Sequence, residues 1–513
     1  MKKINNDFLS AASLEWAMNH ITKFGDTDIF PVPFEYIAIK NRWVSIKQHL
    51  ETLDFAEYQP KNTFNLLVPK KNGYRVARQL DPIDNIMMLA AIHEIAPILE
   101  KSRSEDTVAC SYRIEIDSEN FKMYRDDGWK MFYQISQKLA KKNKHVLTLD
   151  IADFYNQIYL HGVHNQLESA GVNIVRATSI ENFLINLNAK KSVGLPVGPV
   201  FSIILAEMVL NDLDYFIKQL GFDYVRYVDD IRIFCGNSNQ AERILHDVSE
   251  YLYSSLRLTL QTHKVKKLTT KKFLESNLYD PEEKKEEKYL DALKEKVTET
   301  GYGATEEDIE DEHGFELESE SLQQVFDHCL SLSSHEIGYF KALLRLATKG
   351  RIRSILDTVL TNLELLMPVY RDVIKYLLAV ENDGCKNKIE AAVLGIMKMG
   401  CYKKLPYQRA WSHYYYFSPK QRFDASDQFE AVKQVSKRDF MLLLAEHGKD
   451  HKALFMPYKE NWQNFSAPER RAIIYASKIL PTTERKIWLK NVEASTGDFF
   501  EKEIARYMLS FQG

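Results

Sequence analysis

Up to about residue 280, short apolar runs rich in Val, Ile, Leu, Phe and Tyr alternate with stretches of helical periodicity. HVLTLDI (145–151) and YVRYVDDIRIFC (224–235) read as strands. Between them, SIILAEMVLNDLDYFIKQLG (202–221) places Leu205, Met208, Val209, Leu213, Phe216 and Ile217 on one helical face, with Gly221 as a stop, so one helix is predicted between two strands. From about residue 320 the pattern changes. Ile352, Ile355, Leu356, Val359 and Leu363 recur at spacings of three and four, and RDVIKYLLAV, KIEAAVLGIMKM and RDFMLLLAEHG repeat the stripe. Breaks near Pro368, Pro406, Pro419, Pro457, Pro468 and Pro481 predict short stacked helices, an α-solenoid or bundle, over 321–513. The fold class expected is α+β followed by an all-α domain.

The two halves are separated by the one biased segment, residues 281–320, which carries sixteen acids and five bases, a local charge of −11. A solvated connector is expected there. The whole chain of 513 residues has a net charge of −3, so the remainder sums to +8 and overall charge is no argument against a nucleic-acid partner. Composition is that of an ordinary multi-domain globular protein, with 45% hydrophobic and 27% charged residues. The five cysteines are far apart and form no CxxC pair, which argues against a disulfide framework or zinc ribbon and for a reducing cytosol. MKKINNDFLS lacks an apolar segment after its lysines, and no run of eighteen apolar residues follows, so neither secretion nor a membrane span is expected.

Three acids sit where burial disfavours them: Asp150 at the end of one apolar strand, and Asp229 with Asp230 inside another. A strand core tolerates adjacent carboxylates only if they are paired, bind a metal, or lie at a hairpin turn. With GLPVGPVFS opening the intervening helix, the order is acid strand, helix, acid hairpin. Phosphoryl transfer needs such a set, because two divalent ions about 3.5–4 Å apart must be bridged by hard oxygen ligands.

LTLDIADFY (147–155), GLPVGPVFSIILAE (194–207), YVDDI (227–231) and LQTHKVKKL (260–268) resemble, in order and spacing, reverse-transcriptase palm motifs A, B, C and D. NLLVPKKNGYRVARQLDPIDNIMMLAAIHEIAPILE (65–100) resembles the fingers, and CSYRI (110–114) falls where bacterial relatives carry S-Y-G-F-R. The resemblance covers about residues 30 to 275. It implies a right-hand polymerase: N-terminal segment and fingers over 1–110, palm with the remaining fingers over 111–280, acidic connector over 281–320 and a helical domain over 321–513. It implies Asp150, Asp229 and Asp230 as catalytic ligands of two Mg²⁺ ions, Mn²⁺ being a substitute, with the carbonyl of Ile151 a further oxygen and Asp153 structural. Tyr155 matches the steric gate that favours deoxynucleotides, the alternative being core packing. Lys70 and Arg75, with Lys71, match the residues that clasp the triphosphate. Lys264 matches the proton donor to the leaving pyrophosphate, although the basic run around it also suits a charge-guarded strand edge.

Motif B departs from its relatives, which read L-P-Q-G-S-P-L-S-P: Val197, Pro199 and Ile203 stand at the glutamine, serine and final proline positions. A polar nucleotide contact is missing, which puts template copying in doubt. An altered motif B followed by helices is similar to the bacterial abortive-infection reverse transcriptases of the AbiA and AbiK type, carried on plasmids and prophages. In that group a HEAT-like helical region replaces the thumb, and the enzymes make DNA from dNTPs without a template, prime it on their own tyrosine and form oligomers. The resemblance therefore implies phage defence in the bacterial cytoplasm, single-stranded DNA covalently attached to the protein, and a homo-oligomer. Tyr36, ahead of the fingers, is the candidate priming tyrosine, its alternative an ordinary interface aromatic. The aromatic cluster Trp411–Phe417 either stacks product bases or packs between helices. A template-copying RNA-directed DNA polymerase and a silent binding scaffold are the alternatives.

Overall fold

The computed structural model describes residues 9–25, 29–61, 63–70, 73–278, 319–331, 337–417 and 432–511. The acidic connector expected over 281–320 lies outside them as far as residue 318, as does Lys71. The described chain divides into two compact units, one drawn from Met1–Asp28, Glu51–Asn65 and Val76–Glu316, the other from Ile29–Leu50, Leu66–Arg75 and Leu317–Gly513. The expected N-terminal block 1–110 is thus shared: residues 29–50 group with the C-terminal helices.

In the first unit, four antiparallel strands form a sheet in the order β4-β5-β3-β6, with β3 at His145–Asp150, β4 at Asp223–Tyr227, β5 at Asp230–Cys235 and β6 at Lys266–Thr269. β5 and β3 are central. Five of the six β5 residues are buried, which is why its sequence is a nearly continuous apolar run. On one face lie α5 (Gly128–Ala140) and α12 (Thr270–Leu278), and a core of Cys110, Phe132, Ala140, Val146, Val225, Phe234 and Phe273 fills the space between them. α11 (Ser238–Tyr251) packs on β3 and β5. β1 (Phe64–Lys70) and β2 (Gly73–Gln79) form a separate two-stranded sheet that contributes residues to both units.

α1 (Ala11–Phe24) packs on α4 (Pro82–Ser102), which starts at a pyrrolidine preceded by the capping Asp81 and is buried nearly all round. α4 alone among the described helices is long and apolar enough to cross a membrane, and 78% of its apolar window is buried inside the protein. α6 (Phe154–Gln157), α7 (Leu160–Ser169) and α8 (Ile174–Leu187) follow the third strand. The helix predicted over 202–220 is two, α9 (Val200–Val209) and α10 (Asn211–Gln219). The chain turns at Leu210, after which Asp212 and Asp214 occupy the first turn of α10, where the helix dipole favours acids. Gly221, at φ +75°, ends it as the sequence suggests.

Among its described residues, the second unit is helical apart from its share of β1 and β2. Helices Ile337–Gly350, Tyr370–Val380, Pro406–Phe417, Lys437–His447, Ala467–Ala476 and Phe499–Ser510 each pack on the next in that series, so a row of helices runs through the unit. α2 (Glu35–Asn41) and α3 (Trp43–Leu50) pack on the last of them. Two buried acids tie the N-terminal piece down: Glu35 meets Arg471 and Arg438 at 3.3 Å each, and Glu503 meets Arg42 and Ser45 at 3.0 Å each. Trp411, His413, Tyr415 and Tyr416 are core residues of this row, which answers their ambiguity in favour of helix packing, while Tyr414 is exposed.

Candidate active site

Asp150 ends β3 and Asp230 opens β5, and the register pairs the two directly. Opposed residues of an antiparallel pair share a face, so both carboxyls leave the sheet on the same side. Asp229 stands beside them, on the two-residue turn Val228–Asp229 that joins β4 to β5. The adjacent acids are therefore one on a turn and one on a strand, not both inside a strand. Burial pushes the Asp229 carboxyl up to about 6, and the neighbouring Asp150 and Asp230 add to it, against a backbone hydrogen bond and Lys264. Asp230 is also raised, chiefly by burial, with Arg232 pulling the other way. Arg232, two residues along β5 and on the same face, stacks on Phe132 at 4.1 Å and donates to Ser136 Oγ at 3.0 Å.

The segment after the π-helical turn Leu252–Leu256 returns alongside the end of β3. Ala152 N donates to the Thr259 carbonyl and Gln261 N to the Asp150 carbonyl, each at 2.8 Å, and Ile151 bridges Leu260. The 3-10 turn Thr262–Lys264 then delivers Lys264 Nζ to Asp150 Oδ2 at 2.6 Å. Among the described residues, no three His, Cys, Asp or Glu side chains are gathered tightly enough to hold an ion as they stand. The donor types nevertheless suit a divalent ion: Asp150, Asp229 and Asp230 are hard oxygen donors, Asp150 is close enough to raise the other two, and ionised Asp229 is held at a cost that a bound cation would offset.

Tyr155 stands on α6, half-buried and edge-on to Phe154. Burial raises its hydroxyl well above the usual phenol range, with Tyr112, Asp229 and Glu207 contributing, so the ring lies in the neighbourhood of the acids. The loop ahead of α9 is tied to the same helix, as Leu195 N donates to the Tyr155 carbonyl at 2.8 Å. Gly194 (φ +95°) and Gly198 (φ +138°) permit the loop's path, and Val197 offers its carbonyl to Arg78 N of β2 at 2.8 Å. Asp153 opens α6 in a left-handed conformation and accepts from Asn156 Nδ2, a local role.

The structure thus brings Asp150, Ile151, Tyr155, Asp229, Asp230 and Lys264 together within the first unit. Lys70 and Arg75 stand on β1 and β2, the former exposed and the latter half-buried, in the part that belongs to the second unit. Tyr36 is a core residue of α2, 4% exposed, also in the second unit.

Sequence reasoning missed a buried ionic network. Glu207 of α9 accepts from Arg103 Nη2 at 2.7 Å, Arg226 Nη1 at 2.8 Å and Ser111 Oγ at 2.5 Å. Arg226 of β4 also grips Asp214 of α10 through two bonds of 2.7 Å. Glu207 and Arg226 have no exposed surface. The signal was present: a lone Glu in an apolar helix and a lone Arg in an apolar strand must each find an opposite charge.

Residues 68–292 match the family described as "Reverse transcriptase (RNA-dependent DNA polymerase)". A comparison with curated proteins finds no match. Similar solved structures include apo telomerase from Candida tropicalis, at 9% identity and a TM-score of 0.32, covering 69% of this chain and 70% of that one. Telomerase from Candida albicans with a TWJ fragment of telomeric RNA is another, at 12% identity and a TM-score of 0.30, covering 73% and 69%. The matched region is a nucleotidyltransferase domain of the RNA-directed DNA polymerase type, a class that uses divalent metal ions and nucleotide substrates.

Proposed function

We propose that the chain is a Mg²⁺-dependent DNA polymerase that primes on a tyrosine of its own and makes DNA from dNTPs without a template, in bacterial phage defence by abortive infection. The observation that carries the polymerase reading is the pairing of Asp150 with Asp230 and the placing of Asp229 on the adjoining turn. Val197 in place of the motif-B glutamine supports the untemplated reading, and the row of packed helices is the arrangement a HEAT-like domain would have. The bacterial cytoplasm, the oligomer and the covalent product rest on the sequence resemblance alone.

In this reading Asp150, Asp229, Asp230 and the Ile151 carbonyl hold the ions. Bound divalent ions would lower the pKa of the attacking hydroxyl and neutralise the leaving pyrophosphate. Lys264, released from Asp150, donates a proton to the pyrophosphate, and the Tyr155 ring excludes a 2′-hydroxyl. A triphosphate contact by Lys70 and Arg75 rests on the sequence resemblance alone. Template-copying RNA-directed synthesis is the second reading, favoured by the family description of the matched region.

The test incubates pure protein with labelled dNTPs and Mg²⁺, with no primer or template, before a denaturing gel with and without protease. Label that stays on the protein until protease releases it is expected, and because Tyr36 is buried in α2, label that persists in Tyr36→Phe would pass the priming role to another tyrosine. Incorporation only on a primed RNA template would replace this reading with the second, and silence in both arms would leave a binding scaffold.

A further inference from the structure

The turn that carries Asp229 begins with a β-branched residue in the left-handed region, Val228 at φ +53°. Branched side chains rarely adopt that conformation, and it persists where the surroundings over-determine it. Here the surroundings are specific. Val228 N donates to Ser111 Oγ at 2.8 Å, and the Ser111 hydroxyl donates to Glu207 Oε1 at 2.5 Å. An amide can only donate and an ionised carboxylate can only accept, so the hydroxyl between them has one orientation.

Glu207 is kept ionised for this role. Burial alone would raise its carboxyl, but Arg226 and Arg103, with the hydrogen bonds from Ser111 and Arg226, hold it below the usual range. Arg226 lies two residues before Val228 on β4, so the strand that enters the turn and the amide inside it are tied to one carboxylate. Asp214 takes up the rest of the Arg226 guanidinium, which leaves that side chain no freedom to swing. Ser111, Glu207 and Arg226 all have no exposed surface, so no water competes for these bonds.

We propose that Ser111, oriented by Glu207, is a positioning residue: by holding the Val228 amide it sets the direction in which the turn presents the Asp229 carboxyl to the metal ions. The inference rests on the polymerase reading of the three acids. Ser111 touches neither substrate nor ion in this role and acts through the backbone of the turn.

The experiment compares the full chain with Ser111→Ala, which removes the acceptor, and Ser111→Thr, which keeps the hydroxyl. Turnover is measured with dNTPs and Mg²⁺ under whichever primer condition the wild type uses, and Mn²⁺ binding without nucleotide is followed by loss of the free-ion EPR signal. Ser111→Ala should lower kcat roughly 10- to 100-fold, the scale of an ångström-sized misplacement, with KM for dNTP within about two-fold. Its Mn²⁺ affinity should fall about three-fold or more, and Ser111→Thr should bring both quantities back to within about three-fold of the wild type. Should Ser111→Ala not fold, Ser111→Cys, a weak acceptor, is judged by the same criteria. Wild-type kcat or wild-type Mn²⁺ binding in the alanine variant, or no recovery in the threonine variant, would overturn the proposal. A wild type that incorporates nothing sinks the polymerase reading instead, and the Mn²⁺ arm still decides whether Ser111 shapes the acids.

Discussion

Asp229 is a carboxyl that the fold holds against its preference. Because burial and two neighbouring acids raise it from 3.8 to about 6, the folded chain binds more protons than the unfolded one between those values. Its contribution to stability therefore falls as pH rises through that window, and the full penalty is present above pH 6. Asp229→Asn should remove the penalty. In EDTA at pH 7.5 the variant is expected to be more stable than the wild type by about 1–3 kcal/mol, with the gap closing below about pH 4, as read by denaturant unfolding. In Mg²⁺ it should incorporate no nucleotide. Asp150, Asp229 and Asp230 were legible in the sequence because charge inside an apolar run is rare without a purpose. Lys264 was legible only by its place in a motif, since a basic run on a strand edge has a structural use of its own.

Elements were legible where periodicity is local and obscure where a distant partner decides. β3, β4 and β5 follow their apolar runs closely, because each is buried on both faces. The division of the 202–220 helix at Leu210 had a local signal in Asn211 and Asp212, residues that favour caps and turns, but the continuous apolar stripe around them masked it. Only after the bend does Asp214 reach Arg226. The loop before α9 makes a sharper prediction. A Cβ on Gly194 would approach the Asn156 carbonyl oxygen to 3.3 Å while the backbone sits at φ +95°. Gly194→Ala should cost about 1–3 kcal/mol in chemical denaturation and, because the same loop holds the Tyr155 carbonyl, should weaken discrimination between dNTPs and rNTPs in a competition assay.

At the scale of the whole molecule, the sequence showed two halves of different character, and the structure shows two units whose membership is not sequential. Nothing local announces that Glu35 belongs with Arg438 and Arg471, some four hundred residues on. Glu35→Ala would take one carboxylate from both Arg471 and Arg438, and a loss of up to roughly 3–5 kcal/mol is expected for the second unit. A thermal scan should show that loss as an earlier transition of the helical unit, with the melting of the first unit little changed. A single transition shifted as a whole would show instead that the two units unfold together.

The same interleaving sets a timetable for biosynthesis. α2 and α3 leave the ribosome about 450 residues before the helix they pack on, since Leu50 and Phe499 bound that interval. At elongation speeds of about 5–20 residues per second, the wait is roughly 22–90 s. Over that time the polymerase portion can complete its sheet while an amphipathic N-terminal fragment, with Glu35 and the apolar face of α2 uncovered, stays unfinished. Nascent chains stalled before the last helix should therefore be substrates for chaperones and proteases, and the helical unit closes only when the final helix, Phe499–Ser510, is released.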